Sequence, residues 1–142
     1  MQDHDPATPK KNVRETLVTP QAEIDRRAKL GREVAKEILQ LPVAEPEEWP
    51  DYVKMSMTQL FAETWTLPAL STRDKRLLVL GALTVLGRDN KYAVYIEAAL
   101  RSGDLTSEQA HEIPQLLAHY VGQPMVSDLV GITDAALARI NS

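Results

Sequence analysis

The run from Leu77 to Leu86 constrains this chain more than any other segment, because almost every residue in it is apolar or small. Its length and its lack of turn signals favour a helix over a strand. A helix without a polar face has to be covered on most sides. The run is therefore the expected central helix, with Gly81 letting a neighbour approach closely. Ser71 followed by Asp74 reads as its N-terminal cap, with the acidic residue beside the positive helix end.

The rest of the chain supplies helices to pack around it. Ile24, Ala28, Gly31, Ala35 and Ile38 recur at steps of three and four and form one apolar stripe, which ends at Pro42. A proline-rich linker follows. From about Asp51 to Thr66, Val53, Met57, Leu60, Phe61 and Trp65 fall on one side of a second helix. Tyr92, Tyr95, Ile96, Ala99 and Leu100 mark a fourth helix, with Gly103 as a natural C-cap and Thr106 opening the next. The fifth carries Ala110, Ile113, Leu117, Tyr120 and Val121 on one face. Pro114 inside it should bend it unless the proline falls in the first turns. Gly122 ends that helix, and Pro124 suits the first position of a last one bearing Val126, Leu129, Val130, Thr133, Leu137 and Ile140. No useful β alternation occurs. The expected fold is all-α, with about six helices.

A length of 142 residues leaves room for one ordinary core. Residues 1 to 20 are polar, charged and proline-containing, so they are expected to form a loose arm preceding a helical domain over residues 21 to 142. The formal net charge of -4 argues against a nucleic-acid partner, because affinity for a polyanion needs net positive charge. The most basic stretch, Arg26 to Lys36, is interleaved with acids in the manner of a solvated helix face. The chain has no cysteine, which excludes disulfides, thiolate nucleophiles and cysteine-ligated metals. No apolar run approaches the roughly 20 residues of a membrane span, and the start lacks a signal-peptide core, so a cytoplasmic protein without a membrane role is expected.

Phosphate-binding glycine loops, zinc-protease histidine motifs and serine-nucleophile elbows are all missing. Of three histidines, His4 lies in the arm. His111 and His119 are separated by about 12 Å of helical rise, too far to share one metal, so neither a metal nor a cofactor is expected. His119, next to Tyr120 and the Gly-Gln-Pro turn, titrates in a range suited to acid–base work. It also fits an ordinary exposed position near a helix end. Tyr95 suits either core packing or a pocket. Glu112 reads as a surface ion or a buried acid, and Glu97 as a partner for Arg101 one turn on. Trp49 and Trp65 are large apolar anchors for a core or a subunit contact.

One order of features has a counterpart among known proteins. Trp65 is followed by Pro68-Ala69-Leu70, the apolar helix, Ala99-Leu100, the Ser102-Gly103 turn and Tyr120-Val121-Gly122-Gln123-Pro124. Over residues 21 to 142 the chain resembles the carboxymuconolactone decarboxylase family, which shares the AhpD-like fold. The resemblance implies a helical bundle that assembles as a homo-trimer or homo-hexamer and acts on a small molecule. The alkylhydroperoxidases of that group use a Cys-x-x-Cys pair, so their mechanism is impossible here. The lactone decarboxylases place one histidine where this chain has Tyr95 and commonly another where it has Leu116, while their glutamate is kept as Glu112. Their basic residue between the tryptophan and the proline is replaced by Leu67. An arginine at the start of their central helix is matched by Lys75, with Arg76 beside it. Two functions are implied. One is a lyase-like enzyme with altered acid–base chemistry on a cyclic or lactone-type substrate. It would use Tyr95, His119 and Glu112 catalytically, with Trp65, Leu67, Lys75, Arg76 and Leu116 around the substrate. The other is a non-catalytic oligomeric ligand-binding or scaffold protein of the same fold.

Overall fold

The computed structural model describes residues 19–142, and within them the chain is an all-helical bundle of six helices without a strand. The arm expected over residues 1 to 20 lies outside the described residues except for Thr19 and Pro20, and His4 lies outside them entirely. Helix α1 spans Gln21–Leu39. Helix α2 starts as an α-helix at Asp51–Met55 and continues as a π-helix over Ser56–Thr64. Helices α3 (Thr72–Val85), α4 (Asp89–Arg101), α5 (Ser107–Val121) and α6 (Leu129–Asn141) follow. A single helical turn, Gln123–Val126, separates the last two. Pro124 therefore lies second in that turn rather than at the start of the final helix.

The helix ends follow the local chemistry. Ser71 accepts a hydrogen bond from the Asp74 backbone N–H at 3.0 Å, capping α3. Thr106 and Gln109 form a reciprocal capping box at the start of α5, with bonds of 3.0 and 3.1 Å. Gly87 and Gly103 take positive φ values of 61° and 78° in the turns after α3 and α4. Pro114 sits in the middle of α5, well beyond its first turn, yet the helix runs unbroken to Val121 with the proline ring buried.

Two apolar clusters fill the interior. Ala28, Ala35, Ile38, Trp49, Met57, Phe61 and Trp65 pack α1 against α2. Leu80, Tyr92, Ile96, Ala99, Leu105, Ala110, Val126, Leu129 and Ala136 form the second, among α3 to α6. Tyr95 packs against both. Ile24, Leu60, Tyr120 and Val130, which periodicity assigns to buried stripes, are exposed.

Gly31, not Gly81, is where helices approach closely. A Cβ on Gly31 would lie 1.9 Å from the Met57 carbonyl oxygen, so the backbone of α1 rests directly on that of α2. A Cβ on Gly81 would meet nothing within 4 Å. Nor is α3 covered on most sides: Leu80 and Thr84 face inward, whereas Leu78, Val85 and Leu86 are 63%, 58% and 68% exposed.

At the far end of the bundle, His111 links α5 to α6. Its Nδ1 lies 2.8 Å from the Ser107 carbonyl oxygen and its Nε2 2.7 Å from an Asp134 carboxylate oxygen. Both neighbours are acceptors, so only the doubly protonated ring can donate to both. The hydrogen bond to Asp134, helped by that to Ser107, holds the imidazole above its ordinary pKa of 6.5.

Two predictions follow from this packing. Gly31→Ala should lower stability by about 2–3 kcal/mol, as overpacking against rigid backbone does. Gly81→Ala should raise it by about 0.5–1 kcal/mol, the helix-propensity gain at an open site; chemical denaturation of both variants distinguishes them. The stability supplied by His111 should be fully present below the unfolded-chain pKa of about 6.5 and should fade as pH rises through the higher folded value. An NMR titration of the His111 ring should give a pKa above the unfolded one, and the stability difference between wild type and His111→Gln should shrink on the alkaline side.

Candidate functional site

Four of the residues that the sequence nominates meet at one place. The π-helical part of α2 delivers Trp65 at its C-terminal end, where the Trp65 N–H donates to the Leu60 carbonyl at 2.9 Å. The chain then turns through Leu67 and Pro68 toward Ser71, so the first turn of α3 returns Lys75 to the same spot. Lys75 Nζ donates to the Trp65 carbonyl at 2.7 Å and also to the Leu67 carbonyl. It thereby satisfies carbonyls left open where the π-helix ends. Tyr95, from α4, stacks on the Trp65 ring with centroids 6.4 Å apart and planes 16° from parallel.

Beside this group lies an open hollow of about 250 Å³ lined by Leu60, Thr64, Trp65, Leu70, Lys75, Leu78 and Val79. Its exposed wall is almost wholly apolar, and Thr64, Trp65 and Lys75 are the lining residues that carry a polar group. An ammonium has three N–H donors, and among the described residues Lys75 uses two of them on carbonyls. Trp65 is buried and lines the hollow while stacking on Tyr95, which is not itself among the walls. Burial pushes the Tyr95 hydroxyl above the ordinary phenol range, and the Arg76 guanidinium offsets part of that rise. The hydroxyl therefore holds its proton at neutral pH and is a hydrogen-bond donor more readily than an acid.

The other nominated residues lie elsewhere. Glu112, Leu116 and His119 are exposed and succeed one another along α5 over about 10 Å of helical rise. Glu112 and Leu116 border a shallow hollow with Arg73, Leu77, Leu105, Gln109 and Ile113. His119 borders a different one, with Pro114, Gln115, Ala118, Gln123, Val126, Ser127 and Val130. Neither hollow is walled by Tyr95.

Arg76 is only 1% exposed and points into the interior. Its Nε donates to Asp104 at 2.7 Å, while Nη1 and Nη2 donate to the Ile38 and Glu37 carbonyls at the end of α1. With these partners the guanidinium joins α3 to α1 and to the turn after α4. The neighbouring residue, Lys75, is the one that faces the hollow. Sequence reasoning passed over Leu60, Thr64, Leu70, Leu78 and Val79 as site residues. The apolar run signalled the last two only as core.

Among the described residues no group of histidines and carboxylates is arranged to hold a metal ion, and no helix is long and apolar enough to cross a membrane. No protein-family model and no curated protein matches the chain.

The placement of Arg76 generates a sharp expectation. Arg76→Lys keeps the charge but loses the fork that reaches Asp104 and two carbonyls at once. It should cost about 3 kcal/mol in denaturant unfolding, in the range seen when a buried pair is broken. Lys75→Met, on the hollow's rim, should cost less than half as much.

Proposed function

We propose that this chain is a carboxymuconolactone decarboxylase-like small-molecule protein that works as a homo-oligomer. Its ligand is an apolar ring compound carrying one carboxylate or lactone oxygen. The observation that carries this reading is the Trp65 hollow, an apolar depression with a single cation at its edge. Pockets that hold small molecules combine mostly apolar walls with very few placed polar groups. Here the indole and the leucines supply contact area, and the remaining N–H of Lys75 supplies orientation through a charge-assisted hydrogen bond.

The reading favours binding over the altered acid–base chemistry implied by the family resemblance. A general acid or base has to come within about 3 Å of the proton it moves, directly or through one water. Glu112 and His119 border separate hollows, neither of which Tyr95 lines. A catalytic variant is supported by one observation, the stacking of Tyr95 on a wall residue of the hollow. In that variant Tyr95 alone donates the proton to a cyclic or lactone-type substrate, and replacement of His119 leaves turnover unchanged.

The test uses 1-naphthoate as a probe with one carboxylate and an apolar ring system. Calorimetry or ligand-detected NMR should show saturable binding. Lys75→Met should weaken it by roughly 10-fold or more, the worth of one charged hydrogen bond. Helical content by circular dichroism should stay unchanged. An absence of saturable binding up to millimolar probe, or equal affinity in the two proteins, removes the hollow as the ligand site.

A further inference from the structure

Helix α2 is wide over most of its length. Nine of its residues, Ser56–Thr64, are π-helical, whereas π geometry is mostly confined to single-turn bulges. The segment ends where the Trp65 N–H donates five residues back, to the Leu60 carbonyl. An α-helix would pair that N–H with the Phe61 carbonyl instead.

This width decides where Trp65 points. A π-helix turns by roughly 82° per residue, against about 100° for an α-helix. The eight steps from Met57 to Trp65 therefore end about 60° short of two full turns, where α-helical steps would end about 80° past them. Between the two registers the indole moves from one flank of Met57 to the other, by about 140°. In the π register the Trp65 ring stacks on Tyr95, and the Trp65 carbonyl accepts from Lys75 Nζ at 2.7 Å. A rotation of that size takes both away.

The wide register needs room near its start, and α1 supplies it at one residue. Gly31 is buried, and the Met57 carbonyl oxygen lies 1.9 Å from where a Cβ on Gly31 would stand, with the Met57 carbonyl carbon at 2.6 Å. Both atoms are backbone of the second π-helical residue. They cannot swing aside as the end of a flexible side chain can. A side chain at position 31 therefore pushes the α2 backbone outward at the point where its turns widen.

We propose that Gly31 is a positioning residue for the Trp65 hollow. By carrying no side chain it admits the π register of α2, and that register places the indole in the hollow's wall. Gly31 is not itself a wall residue; it acts through Met57 and the eight residues that follow. The consequence for ligand binding rests on the reading given above, whereas the consequence for register does not.

Scalar couplings across hydrogen bonds, measured by NMR, identify the acceptor of each amide. In the wild type the Trp65 amide nitrogen should couple to the Leu60 carbonyl carbon. In Gly31→Ala that coupling should vanish or move to Phe61, and 1-naphthoate affinity should fall by roughly 10-fold or more as the indole leaves the wall. Leu129→Ala opens a cavity in the other apolar cluster and is destabilising too, yet should change neither readout. Deletion of Gln59 from Gly31→Ala supplies a rescue. Seven α-helical steps end about 20° short of two turns, within about 40° of the present Trp65 direction. The doubly changed chain should therefore fold and recover naphthoate binding, with Trp65 now coupled to Phe61. Should Gly31→Ala alone fail to fold, the same deletion should restore folding as well as binding. A wild type coupled to Phe61, a Gly31→Ala protein that keeps the Leu60 coupling or binds naphthoate as the wild type does, or a deletion without rescue overturns the proposal. A Leu60 coupling that Gly31→Ala abolishes, in a wild type that binds no naphthoate, supports control of the register and removes the ligand reading instead.

Discussion

The Arg76 guanidinium holds the two halves of this molecule in register. A charge this deeply buried persists only with its donors satisfied, and three acceptors from two parts of the chain satisfy them. Two are the final carbonyls of α1, which have no partner inside their own helix. The third is the carboxylate of Asp104, from the turn that Gly103 makes possible. One side chain thus solves two problems at once, an open helix end and a buried charge. Because Arg76 and Lys75 are adjacent on α3, fixing one inward sets the other toward the end of α2. The hollow's only cation is positioned by the neighbour that the hollow does not contain.

The same arrangement explains what could be read in the sequence. Helices α1, α4 and α5 show in the spacing of Ala28, Gly31, Ala35 and Ile38, of Tyr92, Ile96 and Ala99, and in the Thr106 cap, because local geometry decides those features. The π-helical segment was not legible. Met57, Phe61 and Trp65, four apart, stay on one side of an α-helix or of a wider one, so the pattern cannot separate the two. Arg76 was misplaced for a related reason. Its role depends on carbonyls 38 and 39 residues away and on Asp104, and an arginine beside a lysine at a helix start reads as a pair of surface cations. Gly31 and Gly81 look equivalent in sequence, and only the tertiary fold brings the Met57 carbonyl onto one of them.

The candidate site was legible in part for similar reasons. Trp65, Leu67 and Lys75 lie within eleven residues across one turn, and a turn that returns on itself gathers what it carries. Glu112, Leu116 and His119 lie one or two turns apart on α5, so their relation to each other was readable. Their relation to Tyr95 depended on which face α5 shows to α4. That face is occupied by Ala110 and Pro114, with Ile113 and Leu117 beside them, which sends the polar residues outward.

An apolar run without a polar face carries information even where it does not end up as a buried core. Applied to Leu77–Leu86, the rule that such a helix has to be covered is met on one side only among the described residues, since Leu78, Val85 and Leu86 stay exposed on the outward half. Water contact with that half costs roughly 25 cal/mol per Å² of apolar surface. For several hundred Å² this is comparable to the whole stability of a small domain. Single exposed leucines are ordinary, but Leu78, Val85 and Leu86 follow one another along one helix, and Leu78 also walls the Trp65 hollow. A solvated helix face would instead carry charges at three- and four-residue steps, as α1 does with Glu23, Arg26 and Arg27. The two faces of one molecule therefore differ in kind, with ion pairs at one-turn spacing along α1 and uninterrupted apolar side chains along the outward half of α3.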